Sequence, residues 1–251
     1  MKQNLILWIS AFVITFLAGF LQNRLSENYP VSGSFGIEGK EVGYKLDRVH
    51  YGNNDYRFYL TTEINGINGK LNWRELDSDK WYSSGLIDSA HIIIGIIPHQ
   101  QPLTRIEYLI RLKYNNKEYT ILPENKAVTI TFLGQVPVSI NFYFFFTLFG
   151  GILLAVRTGL EYFKTPGKLK TLNIFTLIFF TVNAFAFQPL RRTYELGMVG
   201  KGAVPINEIF QLSSVLLFVT WVAATALIFN TKKNKIWALI AAVITLLIFE
   251  V

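Results

Sequence analysis

Hydrophobic side chains follow two different rhythms along this chain. Residues 4–21, 140–156, 171–188, 208–229 and 236–249 are continuous apolar runs with no Lys, Arg, Asp or Glu in their middles. A helix needs roughly 20 apolar residues to cross a hydrocarbon core, and about 17 when flanking side chains reach outward. The runs therefore predict five transmembrane helices, one N-terminal and four C-terminal. Between residues 40 and 133 apolar residues recur at every second position instead, the mark of half-buried strands. The alternating sets are Val42, Tyr44 and Leu46; Tyr56, Phe58 and Leu60; Leu71 and Trp73; Ile106, Tyr108, Ile110 and Leu112; and Val128, Ile130 and Phe132. Ile92, Ile94 and Ile96 lie in a nearly continuous apolar run ending at Pro98, and a shorter strand is expected over 117–122. Turn formers separate these segments at Gly52-Asn53-Asn54, Asn65-Gly66, Asn68-Gly69, Pro98 and Asn115-Asn116.

The chain thus reads as an α+β membrane protein in three parts: a transmembrane anchor over 1–22, an all-β sandwich domain over 23–137 and a four-helix transmembrane domain over 138–251. Residues 1–21 also fit a cleaved signal peptide, because Lys2 precedes the apolar run. The run is longer than a usual signal core and no Ala-x-Ala site follows it, which favours a retained anchor.

Charge fixes the expected orientation. The net charge of +7 would suggest nucleic acid in a soluble protein, but the cations flank the apolar runs. With the N-terminus inside, the cytoplasmic ends receive Lys2, Arg157, Lys164, Lys168, Lys170, Lys232, Lys233 and Lys235. The outer connection 189–207 holds Arg191, Arg192 and Lys201. That asymmetry follows the positive-inside rule, so residues 23–137 and the C-terminus are expected outside the cytoplasmic membrane, with no nucleic-acid partner. With no cysteine, neither a disulfide nor a thiolate metal site can form.

Seven short strands with turns at this spacing suggest an antiparallel sandwich. With Trp73 in an early strand and Tyr108 in the strand after Pro98, residues 40–133 resemble an immunoglobulin or fibronectin type III domain. Without the cysteine pair of immunoglobulin domains, the fibronectin-like variant is favoured. The layout as a whole resembles uncharacterised bacterial inner-membrane proteins that join an N-terminal anchor, such a domain and a C-terminal four-span bundle. The resemblance implies a domain that presents loops and sheet faces to partners.

Candidate chemistry is sparse. His50, His91 and His99 lack the spacing of a metal motif; only proximity in the fold could join them with a carboxylate such as Asp47 or Glu107, and they read as strand or turn side chains. Trp73, Trp81, Tyr82, Tyr108 and Tyr114 read as packing residues, with a carbohydrate-stacking platform as the alternative. No nucleophile elbow, metalloprotease pair or phosphate-cradling loop occurs, so no catalytic residue, metal or cofactor is expected. Small residues four apart, Gly151 with Ala155 and Ala238 with Ala242, allow close helix packing within a bundle or against partner helices. In the outer connection, Arg191, Arg192, Tyr194 and Glu195 precede Gly197, Gly200 and Gly202, a segment suited to an anionic group. The leading expectation is a non-catalytic subunit of a membrane or envelope complex, in contact with membrane lipids and other envelope proteins. The alternatives are a membrane enzyme or transport accessory binding an anionic lipid or glycan at the outer leaflet and, last, a sensor coupling the outer domain to the cytoplasm.

Overall fold

The computed structural model describes residues 2–89, 91–122, 126–164, 168–202, 204–230 and 234–250. They form an α+β protein of two compact units. One comprises residues 1–26, 136–194 and 198–251, the other residues 27–135 and 195–197. The N-terminal helix therefore groups with the C-terminal helices.

The β unit has eleven strands among the described residues: β1 Val31–Ile37, β2 Lys40–Leu46, β3 Val49–Tyr51, β4 Tyr56–Thr62, β5 Asn68–Glu75, β6 Tyr82–Gly85, β7 Ile87–Ser89, β8 Ile92–Ile97, β9 Arg105–Tyr114, β10 Lys117–Thr120 and β11 Val128–Leu133. One sheet has the order β1-β2-β4-β8-β7 and the other β3-β11-β9-β5-β6, with β10 also on β9. All pairings are antiparallel except that of β3 with β11. The two sheets share one core that includes Val42, Leu46, Tyr56, Phe58 and Leu60 from the first and Leu71, Ile106, Tyr108, Ile130 and Phe132 from the second. The alternation legible in the sequence is the alternation of burial in β4, β9 and β11.

In β8 the inward positions are Ile93, Gly95 and Ile97, whereas Ile92 is exposed. Gly95 makes room for the Phe58 ring, whose Cζ lies 1.9 Å from where a Cβ would stand. At the β9–β10 hairpin, Asn115 and Asn116 both have positive φ, 46° and 61°, as a two-residue turn between twisted strands demands.

In the helical unit, α1 (Lys2–Leu25) buries a single stripe of Leu7, Ala11, Thr15 and Ala18 and leaves Phe12, Phe16 and Phe20 exposed. The other long helices are α2 (Val138–Gly159), α3 (Leu169–Val182), α6 (Leu212–Asn230) and α7 (Asn234–Glu250); the short α4 (Gln188–Glu195) and α5 (Ile206–Ile209) lie between α3 and α6. Four helical stretches are long and apolar enough to cross a membrane: Lys2–Leu25, Val138–Phe163, Leu169–Glu195 and Leu212–Asn230. The fifth apolar run forms α7, of 17 residues.

Helix α2 runs antiparallel to α7, and α3 to α6. Phe149 meets Phe249 while Gly159 meets Ala242, and Asn173 bonds Thr225 while Phe185 meets Phe218. Lys2, Arg157, Lys164, Lys168, Lys170 and Lys235 consequently share one end of the bundle. Lys232 and Lys233 lie outside the described residues.

Candidate functional site

The β unit carries an aromatic surface at the edge of its second sheet. Trp73 on β5 lies opposite Tyr82 on β6, and their rings stack with centroids 4.5 Å apart. The next residue, Arg74, points to the other face, as strand geometry requires. Its guanidinium lies 4.9 Å from the Trp81 ring centroid, and its Nη2 and Nε donate to Glu107 Oε2 at 2.8 and 3.0 Å. Glu107 is the cross-strand partner of Arg74 on β9, so the pairing register itself aims the carboxylate at the guanidinium. Lys80 Nζ lies 5.0 Å from the Tyr82 ring. Trp81 and Tyr82 remain 43% and 42% exposed, although each has a ring face against a neighbour. An exposed Trp beside a pre-positioned Arg, with an exposed Tyr on the opposite face of the same sheet edge, has residue types that interface hot spots favour. Of the five aromatic residues singled out in the sequence, Tyr108 is buried, and Trp73 and Tyr114 pack against the core. Trp81 and Tyr82 form the exposed pair.

Burial raises the Tyr108 hydroxyl well above the usual tyrosine range, with the neighbouring Tyr56 adding to the effect. Tyr56 is raised too, mainly by burial, although its hydroxyl accepts the Asp47 N–H at 2.9 Å. These hydroxyls sit inside the core and serve packing.

His50 and His99 both lie edge-on to the Phe132 ring, with centroids 5.3 and 6.3 Å away. His50 Nε2 and the Asn54 carbonyl lie 2.8 Å apart, the His99 N–H donates to Asp55 Oδ1, and His91 occupies a turn with φ 74°. Among the described residues no group of three His, Cys, Asp or Glu side chains is placed to hold a metal. His50 lines an open polar cleft of about 670 Å³ together with Asp47, Asp55 and Arg57.

The helical unit holds a charged pair that the sequence reading assigned to a loop. The second apolar run ends at residue 156 and the third starts at 171, yet α2 runs through Gly159 and continues as a 3-10 turn, Leu160–Phe163. The helical path keeps Arg157 and Glu161 on one face. Their side chains are 2% and 0% exposed, with Nη2 and Oε1 2.6 Å apart. Arg157 Nη2 also donates to Asn4 Oδ1 at 2.7 Å, and the guanidinium lies 5.4 Å from the Trp8 ring, so two α1 side chains complete the cluster. Lys164 Nζ donates to the same Asn4 oxygen at 3.3 Å. The available signal was the four-residue spacing of Arg157 and Glu161 in a segment with Gly159 but no proline before Pro166.

The expected outer loop is likewise shorter than 189–207. Residues Gln188–Glu195 are helical, entered through a π turn at Asn183–Phe187. Pro189 has no N–H to donate, and the widened turn just before it, with Gln188 N–H reaching Asn183 O, carries the helix past that position. The Arg191 guanidinium lies 4.5 Å from the Phe144 ring and 5.3 Å from Phe145, and Arg192 Nε donates to the Glu208 carbonyl at 3.3 Å. Tyr194 is half-buried in the same unit. Glu195 belongs to the β unit, where its carbonyl accepts the Gly134 N–H at 2.8 Å.

Gly151, Ala155, Ala238 and Ala242 are buried within the chain's own bundle. A Cβ at Gly151 would stand 2.9 Å from Phe180, and one at Gly159 would stand 2.5 Å from the Ala242 Cβ. The close approaches that small residues permit are made between α2, α3 and α7.

No protein-family model matches the chain, and no curated protein matches it. Among solved structures, a bromine derivative of the carbohydrate-binding module BhCBM56 aligns over 39% of this chain and 97% of its own, with 8% identity and a TM-score of 0.29.

Proposed function

We propose that this chain is a non-catalytic integral membrane protein that presents an immunoglobulin-like sandwich outside the cytoplasm to a protein partner in a membrane or envelope complex. The observation that carries the reading is the edge of the second sheet, where the exposed Trp81 ring lies against an Arg74 guanidinium fixed by Glu107 on one face and the exposed Tyr82 ring stacks on Trp73 on the other. The immunoglobulin-like assignment draws support from strand order, with β2 paired to β4 in one sheet and β3 running parallel to β11 in the other. Five spans follow if α7, short at 17 residues, is extended by its flanking side chains. Grouping of Lys2, Arg157, Lys164, Lys168, Lys170 and Lys235 at one bundle end supports an N-terminus in the cytoplasm.

The test is purification of the full chain from its native membranes in mild detergent, beside a Trp81→Ala/Tyr82→Ala variant. A stoichiometric protein that accompanies the wild type and is lost from a well-folded variant is the expected result. Retention of that protein by the variant, or a lone wild-type chain, overturns the proposal.

A further inference from the structure

Strand edges expose unpaired N–H and C=O groups, and proteins protect them by keeping edge strands short or charged. Three terminal strands of the two sheets here are protected in this way. β7 has three residues and contains Asp88, β3 has three residues, and β6 has four and is preceded by Lys80. The extra strand β10 is four residues long and carries Lys117 and Glu118. β1 differs from all of them. It is seven residues long, Val-Ser-Gly-Ser-Phe-Gly-Ile, with no charge and no proline, and among the described residues it pairs with β2 alone.

We infer that the free edge of β1 is an interface between two copies of this chain, which pair antiparallel through β1 and join their first sheets into one ten-stranded sheet. Self-complementarity selects a second copy as the occupant. A two-fold axis at Ser34 sets Val31 opposite Ile37, Ser32 opposite Gly36, Gly33 opposite Phe35 and Ser34 opposite itself. This register uses all seven residues, and β1 itself brings no charge to the seam; the nearest carboxylate, Glu41 on β2, accepts a hydrogen bond from Ser34 Oγ. It also preserves the faces: Val31, Phe35 and Ile37 pack on the core side in both copies, while Ser32 and Ser34 stay exposed. Closed two-fold dimers need a patch that matches itself in this way.

The absence of native cysteine makes the test direct. Opposed residues of an antiparallel pair have Cα atoms about 4.5–5.5 Å apart, inside the range that a disulfide bridges. In the proposed dimer Ser34→Cys stands against its own copy. The full chain in its membranes, oxidised with copper phenanthroline, is expected to give a band of twice the mass for Ser34→Cys and none for Asp88→Cys on β7. A Ser32→Lys/Ser34→Lys variant sets four lysines along the seam at exposed positions and is expected to give a monomeric mass in detergent where the wild type gives a dimer. A Ser34→Cys chain that stays monomeric, cross-links to another protein instead, or cross-links no better than Asp88→Cys overturns the inference. This outcome is independent of the Trp81 and Tyr82 test, which reads a different edge.

Discussion

The two units solve the problem of specificity with opposite chemistry. The β unit encloses an interior of aliphatic and aromatic side chains, with Thr62 at its margin and the Tyr56 and Tyr108 hydroxyls as its buried polar tips. The helical unit buries Arg157, Glu161, Asn173, Asn183, Ser214 and several threonines, while Phe12, Phe16, Phe142, Phe146 and Val219 face outward. Burying apolar surface stabilises a fold only where the alternative is water. Helices surrounded by lipid gain little from it, so they rely on close packing and interhelical hydrogen bonds. Asn183 Nδ2 to Thr147 Oγ1, Asn173 Nδ2 to Thr225 Oγ1 and Trp221 Nε1 to Thr245 Oγ1 are bonds of this kind, at 3.0, 2.9 and 2.8 Å. The contrast teaches that polar burial follows the solvent outside a unit as much as the size of its core.

The largest break in this contrast is expected at Arg157. Arg157→Ala leaves Glu161 charged and buried without its partner, a loss of about 3–5 kcal/mol. Reversible unfolding of the full chain in detergent measures it. An Arg157→Met/Glu161→Leu double variant, which removes both charges, should recover most of the loss. Equal destabilisation in both variants would place the cost in packing.

Next comes the β core. Gly95→Ala forces a methyl into the Phe58 ring and is expected to destabilise the β unit by about 1–3 kcal/mol through overpacking. Adding Phe58→Leu should return part of that stability, because the ring is what the methyl meets.

The smallest effect concerns pH. Burial raises Tyr56 and Tyr108 in the folded chain, whereas in the unfolded chain both titrate near pH 10. Above about pH 10 the unfolded chain has released these protons and the folded chain still holds them. Stability is therefore full below pH 10 and falls as pH rises beyond it. Ultraviolet titration of the 12 tyrosines should show a late-ionising fraction that shrinks in Tyr108→Phe.

Much of the β unit was legible because burial on one face writes period two into the sequence. β2, β4, β5, β8, β9, β10 and β11 all lie where alternation or an apolar run predicted strands. The four others carry little such signal: β3 and β7 have three residues, β6 is dominated by Ser and Gly, and β1 interleaves Gly and Ser with its apolar positions. The helical cores were legible for the converse reason, a lack of charge. Reading the first charge as the end of a span then hid the cluster at Arg157, since it took a helical path past Gly159 to bury Glu161. A proline cut the expected third span short at 188, although the π turn at Asn183–Phe187 carries the helix past Pro189 to Glu195.

The most direct measurement of the central claim, that the β unit belongs in water and the helical unit in lipid, uses single cysteines and a membrane-impermeant maleimide on intact spheroplasts. Asn53→Cys in the β unit is predicted to label at once, and Lys168→Cys at the basic end of the bundle only after the membrane is opened. Labelling of Lys168→Cys in sealed cells, with Asn53→Cys protected, would contradict the account.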